Sequence, residues 1–167
     1  MAGTDSERAD ILQALRTHRA FLRTTVQGLT DEQATRRTTA SELCLAGLVK
    51  HVAVTESQWV DFVEQGTSAM EVGPDEWVEH ENSFRLLPGE TLEGVLARYE
   101  QVAARTDELV LTVDLDLSHA LPEAPWFTPG ARRSARRVLL HVVGETAQHA
   151  GHADIIRESL DGQKTMG

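Results

Sequence analysis

An all-α fold, a four-helix bundle, follows from three features of the 167-residue sequence. All five prolines fall between positions 74 and 129, in two clusters, and proline punctuates helices from outside. The segments before, between and after those clusters carry apolar residues at spacings of three and four, the stripe of a helix with one buried face. No segment reads convincingly as a strand. At about 150 residues per domain the chain is expected to be one domain over 1–167, able to bury about two-thirds of the surface its unfolded chain exposes.

The first helix is predicted over about 5–27. Ile11, Leu15, His18, Leu22, Val26 and Leu29 share its inner face, and Gly28 stands where a C-terminal glycine belongs. The second spans about 41–65, from Ser41-Glu42 to a stop at Gly66, with Cys44, Leu48, His51, Val54 or Thr55, Gln58 and Phe62 inward. A long connection over 66–90 contains Gly73-Pro74 and Pro88-Gly89; connections of that length in a compact domain are commonly functional. Thr91 caps the third helix, about 91–113, whose stripe runs Leu92, Val95, Tyr99, Val102, Thr106, Leu109 and Val113. A second connection over 114–130 holds Pro122, Pro125, Trp126, Phe127 and Pro129. The fourth helix, about 132–160, ends at Asp161-Gly162 and leaves a loose tail. Two long connections free consecutive helices from having to be antiparallel.

Composition removes several function classes. Sixteen basic against 26 acidic residues give a net charge of −10. That argues against a nucleic-acid partner, which needs positive surface, and against an anionic membrane. No apolar run approaches the roughly 18 residues of a membrane span. Cys44 is the single cysteine, so no intrachain disulfide framework is possible. The N-terminal MAGTDSERAD lacks the basic-then-apolar pattern of a signal peptide, and a cytoplasmic location is expected.

Chemistry concentrates on two inward faces. On the fourth helix Glu145 and His149 share the core stripe with Val138, Val142, Ile156 and Leu160. On the second, His51 lies among Cys44, Gly47, Leu48 and Phe62. A buried unpaired carboxylate costs several kcal/mol and needs a partner. One divalent metal would satisfy all three groups, since two imidazoles and a carboxylate suit zinc with an open position or a non-haem iron-type site. The competing reading is a hydrogen-bonded core pair plus a separately satisfied histidine.

Other residues receive lesser roles. His152, at the edge of the stripe, is a candidate secondary partner or a packing residue, whereas His141, off the stripe, reads as structural. His18 reads as core, and His80 and His119 as solvated. Cys44 is expected to be an inert buried thiol, and Asp154 and Arg157 to pair with each other or with a neighbour. The arginines at 132, 133, 136 and 137 open the fourth helix, where positive charge opposes the dipole. They read as a solvated face or as a site for an anionic ligand. Trp59, Trp77 and Trp126 are the large apolar anchors, and Trp126 or Phe127 is a candidate pocket wall. Leu96 and Leu111 look like spare apolar positions on the third helix, from which a homodimer is expected.

Two stretches carry a family resemblance. LLHVVGETAQHAGHADIIRESLDG, 139–162, contains an E-x-x-x-H-x-G-H-x-D-x-x-R-E pattern, and GLVKHVAVTESQWV spans 47–60. Together with PGETL at 88–92 and Tyr99 they resemble the DinB-like metal-binding four-helix family over essentially the whole chain. The nearer likeness is to its mycothiol-dependent S-transferase branch, and to the metal-binding domain of mycothiol-dependent maleylpyruvate isomerase. The resemblance implies an up-down-down-up bundle with His51, Glu145 and His149 as ligands of a divalent metal, zinc first, with nickel or iron as alternatives. It also implies mycothiol as the thiol co-substrate, activated as thiolate to attack a small electrophile. A non-catalytic stress-associated metal protein and a metal-dependent hydrolase need the same three ligands and stay open. A pocket above the ligands is expected, walled by parts of 66–90 and 114–130.

Overall fold

The structure is a computed structural model that describes residues 2–71 and 76–165, with side chains omitted for 2–4, 76 and 77. Gly73-Pro74 and the Trp77 side chain therefore lie outside the described residues. In chain order the helices are α1 (Ala2–Thr24), α2 (Asp31–Ala34), α3 (Leu45–Gln65), α4 (Glu76–Ser83), α5 (Leu92–Thr112) and α6 (Ala135–Asp161). The four long ones, α1, α3, α5 and α6, form the bundle.

Ties at the helix ends fix its topology. Arg136 pairs with Glu7 at the N-terminal ends of α6 and α1. At the other ends Arg157 donates to the carbonyls of Thr25 and Gln27, each at 3.0 Å, satisfying orphan acceptors just past α1. Those two helices are parallel. Lys50 meets Glu90 at 2.6 Å and Arg105 meets Asp61 at 2.7 Å, so α3 and α5 are parallel as well. Arg8 donates to the Val113 carbonyl at 2.7 Å and Arg23 pairs with Glu100 at 2.9 Å, which sets α1 against α5. The order is up-down-down-up, as the resemblance implies.

Several boundaries differ from the sequence reading, each for a local reason. The second long helix starts at Leu45 rather than near Ser41. The Thr39 and Ser41 hydroxyls accept from the backbone two residues on, at 3.3 and 3.2 Å, which favours turns over a helix. The last long helix starts at Ala135, where the Ser134 hydroxyl accepts from the Arg137 amide. Arg132 and Arg133 therefore sit on a strand and do not open the helix. That strand, β2 (Arg132–Ser134), pairs antiparallel with β1 (Ser118–Ala120). Three residues each is too short for a period-two pattern to show in the sequence. The 66–90 connection carries a 3-10 turn at Thr67–Met70 and then α4.

The core has two apolar halves. Leu22, Val26, Leu48, Val52 and Tyr99 belong to one, and Leu15, Trp59, Val63, Leu109 and Val142 to the other. Leu96 packs against the first half and is not spare, whereas Leu111 is exposed. Charged groups lie between the halves. Arg19, 5% exposed, binds Glu56, 1% exposed, and reaches Asp107 at 2.7 Å. The Thr106 hydroxyl donates to Glu56 Oε1 at 2.6 Å.

Removing one member of a buried ion pair strands the other. Glu56→Ala is expected to cost about 3–5 kcal/mol in urea unfolding. Arg23→Ala, which breaks the exposed pair with Glu100, should cost under about 1 kcal/mol.

Candidate metal centre and its pocket

Three donors from two antiparallel helices meet. His51 from α3 and Glu145 and His149 from α6 place one ligand atom each within 4.8 Å of one another. The His51 and His149 rings are 4.9 Å apart by centroid and 79° inclined. Glu145 and His149 are one turn apart, with Oε2 to Nε2 at 3.6 Å. The inward stripes that placed these residues together are the same ones that pack α3 on α6.

The hydrogen bonds around His51 decide which nitrogen carries the proton. The Ser83 hydroxyl donates to the His80 carbonyl at 2.6 Å, which uses its only hydrogen. Its oxygen lies 2.9 Å from His51 Nδ1 and can then only accept. His51 is therefore the Nδ1–H tautomer, and its Nε2 lone pair, 3.5 Å from the Thr55 hydroxyl, can accept from that hydroxyl or bind a metal. Phe84 stacks on the same ring at 3.8 Å and 18°. Gly47 lets this segment come so close, because a Cβ there would sit 1.9 Å from the Phe84 carbonyl oxygen. Helix α4 thus supplies the support for a ligand on α3, and nothing in the 66–90 sequence predicted it.

Electrostatics keep the imidazoles neutral. Burial, helped by His149 and His80, pushes the His51 pKa down from 6.5 to about 3. Burial also lowers His149, with a contribution from His152. Neutral imidazole is the form that binds a metal.

A cavity of about 510 Å³ opens beside the donors, with His51 and Glu145 in its lining. Trp59, Met70, Trp126, Phe127, Arg133 and His141 are among its walls. Both long connections contribute, as expected, and Trp126 and Phe127 are both walls. His141 corrects the sequence reading: it lines the cavity with Nε2 3.7 Å from Glu145 Oε1 and its ring edge-on to Trp59. Burial and the nearby Arg133 lower its pKa, although Glu145 opposes this.

The remaining sequence candidates divide. His152 Nδ1 lies 3.5 Å from His149 Nδ1, beside the centre. His80 is exposed on one side but edge-on to His51, at 5.6 Å, and lines the cavity, so it is not merely solvated. His119 is half-buried, its Nε2 3.1 Å from the Val63 carbonyl oxygen. His18 packs on Phe21, and Cys44 is buried beside the Phe84 carbonyl. Asp154 accepts from the Thr165 amide while Arg157 pairs with Asp161, so the two are not partners of each other. Among the four arginines only Arg133 lines the cavity. Arg132 is bonded to Ser118, Arg136 to Glu7 and Asp116, and Arg137 is exposed.

A family model described as mycothiol-S-transferase matches residues 10–162. No curated protein gives a match. Among solved structures, a conserved protein from Enterococcus faecalis has a TM-score of 0.64 at 16% identity. That match covers 92% of this chain and 96% of the other and reflects the fold alone. Among the described residues no helix is long and apolar enough to cross a membrane.

The His51 shift has a consequence for acid stability. Between the unfolded value of about 6.5 and the folded value of about 3, the unfolded chain holds the extra proton. Stability of the chelator-treated protein should therefore fall as pH drops through that window. NMR titration of the His51 ring should show a midpoint near 3, whereas a midpoint near 6.5 would mean that the ring is not desolvated.

Proposed function

The chain belongs to the mycothiol-S-transferase family, and from that premise we propose that its pocket joins mycothiol to a small electrophile with the help of a divalent metal. His51, Glu145 and His149 would hold the ion, with zinc the first choice. The carrying observation is the donor set: one carboxylate and two neutral imidazoles within 4.8 Å, one imidazole locked with Nε2 unprotonated. Three protein donors leave a coordination position for a further group. When bound, a divalent ion lowers the pKa of a thiol that reaches it and so supplies thiolate at neutral pH.

The chain's own residues do the rest. Glu145 offsets one unit of the ion's charge. Ser83 fixes the orientation of His51 through Nδ1–H, and Phe84 covers its ring face against water. His141 stands beside Glu145 Oε1, at 3.7 Å, and forms the cavity wall next to the carboxylate. The walls from the two connections give a bound electrophile an apolar bed next to the donors. A cytoplasmic setting, where low-molecular-weight thiols stay reduced, suits this chemistry.

Purified protein should carry about one divalent ion per chain. Metal-loaded protein should conjugate a bimane electrophile with mycothiol, more slowly or not at all with glutathione, and not at all as His51→Ala. Equal rates with and without metal would contradict the reading. Glu145→Gln and His149→Ala should lose metal while far-ultraviolet circular dichroism still shows the bundle. Ser83→Ala should weaken metal affinity by about 10–100-fold, the usual effect of losing a residue that orients a ligand.

A further inference from the structure

We propose that Arg133 is the anion-recognition residue of the pocket and that the electrophile conjugated there carries a carboxylate. The inference rests on the transferase reading of the same pocket and adds its substrate class.

Among the described residues every other buried or half-buried arginine except Arg8 holds a carboxylate, and Arg8 donates both its amino groups to the Val110 and Val113 carbonyls. Arg19 has Glu56 and Asp107, Arg105 has Asp61 and Glu64, Arg136 has Glu7 and Asp116, and Arg157 has Asp161. Arg133, half-buried, lines the cavity and makes no ion pair among the described residues. Its Nη1 is buried without a hydrogen-bond partner. The guanidinium carbon stands 4.5 Å from the Trp59 ring centroid and 5.6 Å from that of Phe127. Aromatic faces can support a guanidinium but do not take up its N–H groups, so Nη1 has no acceptor among the described residues. A planar fork held this way matches a carboxylate.

Charge leads to the same ligand. Burial disfavours the cation and Arg137 adds repulsion, with only Glu145 opposing them. Glu145 is committed to the metal donors and forms no ion pair with Arg133. With a divalent ion in place, its charge is balanced by Glu145 and one thiolate, so Arg133 stays uncompensated in the loaded pocket. A carboxylate on the second reactant would supply the negative charge that no described residue gives Arg133. In the conjugation itself the thiolate sulfur forms the new bond to the electrophilic carbon. For an unsaturated acceptor the displaced π pair is taken up by a proton, and the carboxylate is unchanged.

The test uses metal-loaded wild-type protein, Arg133→Met and Arg133→Lys, all checked for folding by circular dichroism. Calorimetry compares succinate with neutral succinamide. Wild type should prefer succinate, and Arg133→Met should bind it about 10–100-fold more weakly, the range for loss of a charge-assisted hydrogen bond. Arg133→Lys, which keeps the charge without the fork, should fall between. Conjugation with mycothiol then compares a carboxylate-bearing maleimide with N-ethylmaleimide. The ratio of their kcat/KM values should favour the anion in wild type and drop by about tenfold or more in Arg133→Met. Succinate binding equally to wild type and Arg133→Met would place the carboxylate on the ion and overturn the proposal, as would an unchanged ratio. If neither maleimide is conjugated, the transferase reading falls together with the substrate class, while calorimetry alone judges Arg133 as an anion site.

Discussion

Glu56 is a carboxylate in the middle of four packed helices, and its burial constrains everything around it. An isolated charge there would cost several kcal/mol, so Arg19 must lie against it from α1 while Thr106 donates from α5. Three helices are thereby held at one height. A slip of one turn in any of them would strand a charge, whereas apolar halves above and below could each tolerate some sliding. The polar layer is thus a register device for an otherwise generic bundle. His51 lies little more than one turn before Glu56 on α3, so the layer that aligns the helices also sets the height at which α3 presents its imidazole to α6.

The candidate centre adds a second constraint, the direction of one proton. His80 carbonyl, Ser83 hydroxyl and His51 Nδ1 form a chain in which every role is forced. The result is a ligand preset with Nε2 unprotonated before any ion arrives. This depends on α4 coming within contact of α3, which in turn depends on the missing side chain at Gly47. A short helix in a long connection therefore does the work of a supporting shell.

Much of the fold was legible because helical periodicity is a property of single faces. The stripes on all four predicted helices, with proline confined to the two connections, sufficed for four long helices. The same stripes turned His51, Glu145 and His149 inward, where the structure brings them together. The two connections hid the rest. An eight-residue helix and two three-residue strands are too short for periodicity. Ser83, Phe84 and Arg133 entered the site through those segments, and His141 entered because the cavity is wider than the stripe. Glu56 and Arg19 escaped for another reason: a charged residue reads as solvent-facing unless its partner, here 37 positions away, is known.

The proposed chemistry requires a thiol sulfur to reach an ion held only by nitrogen and oxygen donors. Cys44, the one cysteine, is buried against the Phe84 carbonyl and is not among the donors. X-ray absorption at the zinc edge of the zinc-loaded protein tests that claim most directly. Without thiol, only nitrogen and oxygen scatterers at about 2.0–2.2 Å are expected; with mycothiol, one sulfur should appear at about 2.3 Å. A sulfur present before mycothiol is added, or none after saturation, would contradict it.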